Sequence, residues 1–141
     1  DRVIAVNVRG PWLSSKAVIP YLRIGGGGKI VNIASDTFLW GAPVLMHYVA
    51  SKGAVIAMTR AMAQEVGADN VSVNAIAPGL TKVEATESVA ASRHEFYVNG
   101  RAFRREQYPE DVTGAIVFLL SDASDFVTGQ LLAVNGGFAF H

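Results

Sequence analysis

The sequence predicts an α/β fold, one wing of a doubly wound parallel sheet, and three observations carry that prediction. The run K-I-V-N-I-A-S at 29–35 has alternating and β-branched residues and follows a glycine turn, as a buried parallel strand does. A second run, V-S-V-N-A-I-A-P-G at 71–79, is broken by Pro78 and Gly79. Both are flanked by stretches with helical spacing, so that strand and helix alternate along the chain.

The elements follow in order. Residues 1 to about 23 read as helix, with Pro20 near its end, and the glycines at 25–28 form the turn into a strand at 29–34. Residues 35–45 read as a loop. Ala50, Ala54, Ala57, Met58 and Ala61 then mark a helix to about Val66, where Gly67 is expected to stop it. The second strand covers 71–76. Glu84 to about Val98 reads as one helix, and Pro109 opens another through P-E-D-V-T-G-A-I-V-F-L-L. L-L-A-V-N at 131–135 is the third strand.

Composition limits the function classes. The chain has 141 residues, half of them hydrophobic, with 12 basic and 12 acidic side chains and no net charge, as expected of one soluble globular domain or less. No apolar run approaches a bilayer span, and no basic cluster points to nucleic acid. The absence of cysteine excludes disulfides and thiolate metal sites and suits a reducing cytoplasm. His47, His94 and His141 have no metal-ligand spacing, so no metal is expected.

Candidate chemistry centres on Tyr48 and Lys52 in Y-V-A-S-K, with Ser35 thirteen residues before the tyrosine. A four-residue step on a helix places two side chains on one face. A free phenol has a pKa of about 10 and is a poor proton acceptor near neutrality. A positive charge roughly 4 Å away is worth on the order of 4 kcal/mol to a phenolate at an effective dielectric near 20. Alone, the pair is more often an exposed Tyr and Lys one turn apart; its company changes that. Ser35 and the Pro78–Gly79 turn both fall at carboxyl ends of predicted strands, where open parallel sheets bind ligands. Taken singly, Ser35 could equally cap the next segment, and Asn7 could equally kink a helix or bridge two. Asn32 and Asn74, within strands, read as structural.

The ordered set Asn7, Ser35, Tyr48 and Lys52, with N-A-I-A-P-G and V-T-G-Q-L-L-A-V-N-G-G downstream, resembles the short-chain dehydrogenase/reductase family over nearly the whole chain. The resemblance implies a nicotinamide-dependent oxidoreductase that interconverts an alcohol and a ketone or aldehyde. Tyr48 would be the acid/base and Ser35 would hydrogen-bond the substrate oxygen. Lys52 would favour the phenolate and hold the nicotinamide ribose, and Asn7 would seat a water linking Lys52 to solvent. Pro78, Gly79 and Thr81 would line the cofactor, with Thr81 clasping the carboxamide through its backbone. Many relatives carry threonine where this chain has Val83, so a side-chain contact to the cofactor is not expected there. The cofactor would be NAD or NADP, with NAD the first choice. Relatives form homodimers or homotetramers through two long helices and the last strand. H-Y-V-A-S-K and P-G-L-T-K-V-E-A-T further resemble members acting on aryl alcohols such as 1-phenylethanol, and on pyridoxal.

A fold of this Rossmann type places a glycine-rich phosphate loop between its first strand and first helix. The glycines at 25–28 instead join a helix to a strand. Residues 1–141 are therefore expected to be the carboxyl half of a doubly wound dinucleotide-binding domain, without its phosphate-binding half. The 29–34 strand would then be an unpaired edge. The other reading is a catalytically inactive fragment serving as a structural or oligomerising module.

Substrate specificity is expected in two segments. One is the 36–47 loop with Phe38, Leu39, Trp40 and Met46. The other is a lid from Leu80 to about Tyr108 with Phe96, Tyr97 and Phe103. These aromatic side chains suit an apolar, aryl substrate, or they pack beneath the lid. His47 is expected to face outward.

Overall fold

The computed structural model describes residues 1–141. Its centre is a three-stranded parallel sheet in the order β1 (Gly28–Ile33), β2 (Val71–Pro78), β3 (Leu131–Val134). Register runs from Gly28 opposite Val71 to Ile33 opposite Ile76, and from Ala75 opposite Leu131 to Pro78 opposite Val134. β1 is an edge of the sheet, as the sequence implies.

The continuous apolar character of β2 follows from its two covered faces. Val71, Val73, Ala75 and Ala77 point to one face and meet Val55, Met62, Ala63 and Val66 of α4 (Met46–Val66). Ile19 and Leu22 of α2 (Gly10–Ile24) join that layer. Ile76 points the other way, into Val112 and Leu119 of α6 (Pro109–Leu120). Helices on both faces of a parallel sheet are what the alternating pattern requires.

The two strand asparagines are structural. Asn32 donates to Thr59 Oγ1 of α4 at 3.0 Å. Asn74, fully buried, donates to the Val127 carbonyl at 2.8 Å and accepts from the Gln130 N–H at 3.0 Å. It thereby ties β2 to the loop that leads into β3. Asn74→Ala leaves one carbonyl and one N–H without a partner, and should lower unfolding free energy by about 2 kcal/mol in urea denaturation.

Several boundaries differ from the sequence expectation. The first helix is not uniform: α1 (Arg2–Ile4) passes into a π-helical turn (Ala5–Arg9) before α2. Residues 37–40 of the expected loop form a single turn, α3 (Thr37–Trp40). The α4 helix ends at Val66, but Gly67 keeps right-handed backbone, and Asn70 takes the left-handed position at φ 58° after a 3₁₀ turn. Asn70 then packs on the glycine turn so closely that a Cβ at Gly27, itself at φ 141°, would lie 2.7 Å from its carbonyl oxygen.

The helix expected over 84–98 is broken. A 3₁₀ turn (Glu84–Thr86) is separated from α5 (Ala91–Gly100) because the Thr86 hydroxyl turns back to the carbonyls of Thr81 at 2.8 Å and Val83 at 2.9 Å. Such back-bonding by threonine offers the backbone an alternative to helix. No helix is long and apolar enough to cross a membrane.

Candidate active site

A cavity of about 290 Å³ opens at the carboxyl ends of β1 and β2 and is lined by Ser35, Tyr48, Gly79 and Thr81 among others. Ser35 follows β1 and is buried. Its Oγ accepts the Thr37 N–H at 3.3 Å and the Thr37 hydroxyl at 3.0 Å. With its lone pairs so used, the serine proton remains to be donated into the cavity. Tyr48 reaches the same space from the first turn of α4.

Lys52, one turn beyond Tyr48, does not line this cavity. Its ammonium donates to the Ile33 carbonyl at 2.9 Å and stands 5.6 Å from the Tyr48 ring centroid. Burial lowers its pKa from the ordinary lysine value. The ammonium is thus pinned to the end of β1, beside the phenol.

Asn7 stands further back. Its amide donates to Ser51 Oγ at 3.1 Å, and that hydroxyl donates to the Tyr48 carbonyl at 2.6 Å. The helix widens around it: the Gly10 N–H bonds Ala5 five residues back, within the π turn. Pro11 has no N–H to give the Asn7 carbonyl four residues before it. Asn7 therefore braces the start of α4 with its side chain while its backbone carbonyl loses its α-helical donor.

The turn after β2 is shaped by a buried polar group that the sequence reading does not single out. A Cβ at Gly79 would lie 2.8 Å from Gln107 Oε1 and 3.1 Å from both Arg101 Nη2 and Asp36 Oδ2. Any larger residue would have to displace these three groups. Pro78 does not line the cavity; its carbonyl receives the Asp36 N–H at 3.0 Å. Thr81 donates to the Gly79 carbonyl at 3.1 Å and pairs with Gln107 in an isolated bridge. Where Val83 offers no hydroxyl, Thr86 supplies one, accepting the Val83 N–H at 3.0 Å.

Asp36, next to Ser35, is wholly buried and also lines the cavity. Its Oδ1 accepts the Tyr97 hydroxyl at 3.2 Å, while Oδ2 is buried with no partner. Desolvation pushes its pKa up to about 6, against the lowering effects of Tyr97 and the Arg101 charge. Burial and the Asp36 charge in turn raise the Tyr97 pKa. Arg101 is anchored to the Leu80 carbonyl at 2.7 Å and the Arg105 carbonyl at 3.0 Å.

The aromatic residues divide. Trp40 and Tyr97 line the cavity and pack with Phe138, the Tyr97–Phe138 rings stacking at 4.3 Å. Phe96 joins that cluster without lining the cavity, and Leu39 packs on the core beneath α4. Phe38 lies against Gly53, while Met46 and Phe103 are exposed, as is His47.

A parallel sheet with a serine, a tyrosine and a lysine converging at its carboxyl edge has known counterparts. The sequence model described as enoyl-(acyl carrier protein) reductase matches residues 1–139. The chain belongs to the short-chain dehydrogenase/reductase family. It is 38% identical over 137 residues to the 3-oxoacyl-(acyl-carrier-protein) reductase FabG of Thermotoga maritima, covering 97% of this chain and 56% of that one. A short-chain dehydrogenase/reductase structure from Mycobacterium ulcerans superposes with a TM-score of 0.93 at 34% identity, covering 97% of this chain and 50% of the other. A gluconate 5-dehydrogenase from Burkholderia cenocepacia, in complex with NADP and tartrate, gives 0.90 at 32% identity and 94% and 53% coverage. The chain spans about half the length of these relatives. The Rossmann-type fold is shared with these structures.

Proposed function

We propose that residues 1–141 are the catalytic portion of a longer NAD(P)-dependent dehydrogenase or reductase that interconverts an alcohol and a ketone or aldehyde. The observation that carries this reading is Ser35 and Tyr48 lining one cavity, with the Lys52 ammonium fixed beside the tyrosine.

The residues present fit the nicotinamide end of a dinucleotide. Tyr48, Lys52 and the Pro78, Gly79 and Thr81 turn cluster at the carboxyl edge of the sheet, where Tyr48, Gly79 and Thr81 line one cavity. The glycines at 25–28 lie between α2 and β1, not at a helix N-terminus, so a pyrophosphate site would come from outside this chain. Nicotinamide, when bound, supplies hydride acceptance or donation.

In oxidation, Ser35 would donate a hydrogen bond to the substrate oxygen and Tyr48, as phenolate, would receive the hydroxyl proton. Reduction reverses each transfer, and Tyr48 returns the proton. Lys52 would stabilise the phenolate electrostatically and hold the ribose, and Asn7, braced on Ser51, would link Lys52 to solvent through water. NAD is the first choice of cofactor and the cytoplasm the first choice of location. Exposed Trp12, Tyr21 and Ile24 on α2, Val117 on α6 and Phe126 support assembly as a homodimer or homotetramer.

A second reading, an inactive structural or oligomerising module, draws on the unpaired edge of β1 and the half-length coverage. One experiment separates the two. The 141-residue chain and the longer protein are each titrated with NADH and NADPH, following nicotinamide fluorescence, and assayed with ketones. The catalytic-portion reading expects weak or no binding by the chain alone and turnover by the longer protein. Absence of turnover by the longer protein would leave only the module.

A further inference from the structure

Beyond Ser35 and Tyr48, the cavity wall carries one cation and one carboxylate, Arg93 and Asp36. Leu45, Leu80, Val83 and Val89 make it apolar, and Arg93 is the one cation on it. Arg93 lies in the first turn of α5 and is half-buried. Its guanidinium carbon stands 5.7 Å from the Trp40 ring centroid and 5.9 Å from that of Phe96. Two aromatic faces therefore fix its position while leaving its N–H donors free for a ligand.

No carboxylate lies within ion-pair distance of it. The four ion pairs use Arg23, Lys29, His94 and Arg105. Glu106 is engaged by His94 at 3.3 Å. Asp36, the only carboxylate on the cavity wall, is faced by Arg101 and bonded by Tyr97. A cation on the cavity wall with no carboxylate in contact and its N–H donors unused leaves a place for an anionic ligand.

We infer that Arg93 is the anion-binding residue of this cavity, and that the substrate is a hydroxy acid or oxo acid whose carboxylate Arg93 holds. This rests on the oxidoreductase reading of the site and names its substrate class. A single guanidinium balances a single negative charge, and Asp36 shares the wall, so a carboxylate fits better than a phosphate dianion. A cavity of about 290 Å³ takes a small molecule, and its aliphatic wall suits the carbon chain between the two polar ends. The aromatic residues then serve chiefly to position a cation, not to receive an aryl group.

The test uses the intact protein with NADH or NADPH, straight-chain oxo acids of increasing length, and the methyl ester of each acid. The acid of best-fitting length should exceed its ester in kcat/KM by about 10- to 100-fold, the range of a charge-assisted hydrogen bond. Arg93→Met should collapse that ratio chiefly through KM, and Arg93→Lys should restore part of it. Binding is read separately from Trp40 fluorescence, against a Trp40→Phe control. Equal handling of acid and ester by the wild type, or a preference that survives Arg93→Met, overturns the assignment while leaving the oxidoreductase reading intact. If no carbonyl compound turns over, that reading fails, and the anion site is judged by fluorescence alone. Saturable change with acids, absent with esters and in Arg93→Met, supports it; no such change overturns it.

Discussion

Tyr48→Phe in the intact protein is expected to reduce turnover by about 10²- to 10⁴-fold, the usual contribution of a positioned general acid or base. Nicotinamide binding should remain largely in place. Within the chain, Tyr48 gives its backbone carbonyl to Ser51 and its hydroxyl to no protein group, so the substitution breaks no hydrogen bond of the fold. A loss of activity without a loss of stability is therefore attributable to the missing proton carrier. Ring, helix and Lys52 anchor are all retained, since the ammonium is held by the Ile33 carbonyl. Steady-state kinetics, with cofactor binding measured by fluorescence, distinguishes a fall in kcat from a change in affinity. Undiminished turnover would refute the acid/base role, and a parallel fall in unfolding free energy would assign Tyr48 to the fold.

The parts of this site legible in sequence are those set by local periodicity. The step from Tyr48 to Lys52 needs only a helix, and α4 is marked by its alanines. Ser35 and Gly79 are found because each closes an apolar strand, and strand ends are where such sheets bind ligands. Even the widened helix around Asn7 has a local signal: a helix-disfavouring amide followed four residues later by Pro11, which withholds an N–H from it.

What stayed hidden depends on contacts between distant segments. Tyr97 meets Asp36 across 61 residues of sequence, so no periodicity relates them. An aspartate is seldom buried, and D-T-F after a strand reads as the start of a polar loop. Arg101 and Gln107 look like charged and polar residues of a mobile lid, yet both are buried around the Gly79 turn. The break before α5 was equally invisible, because it depends on a threonine hydroxyl choosing Thr81 and Val83 carbonyls over solvent. Arg93 belongs with these. Its significance lies in the absence of an acidic partner, which only the fold can reveal.

The buried carboxyl of Asp36 leads to the second large effect, a dependence of stability on pH. Its pKa is raised by burial from 3.8 to about 6, so the folded state holds this proton more tightly than the unfolded chain. Stability from the group is fully present below the unfolded value and is lost as pH rises through about 6. A shift of roughly 2 units corresponds to about 3 kcal/mol of destabilisation at neutral pH. Asp111 runs the other way: paired with Arg105 and bonded by the Tyr108 N–H, it is held well below the usual carboxylate range. Its contribution is lost only on acidification below the unfolded carboxylate value, so the two windows do not overlap. Urea midpoints of wild type and Asp36→Asn between pH 4 and 7 isolate the effect. The amide oxygen can still accept the Tyr97 hydroxyl, and any fixed cost beside Gly79 shifts the whole curve equally. The variant should therefore gain on the wild type steadily as pH rises to about 6, then run parallel to it. Parallel curves throughout would mean that Asp36 ionises in the fold as readily as in the unfolded chain. Because Asp36 adjoins Ser35, this buried carboxyl is a cost of stability beside the site, offset in part by the Tyr97 hydrogen bond and the Arg101 charge.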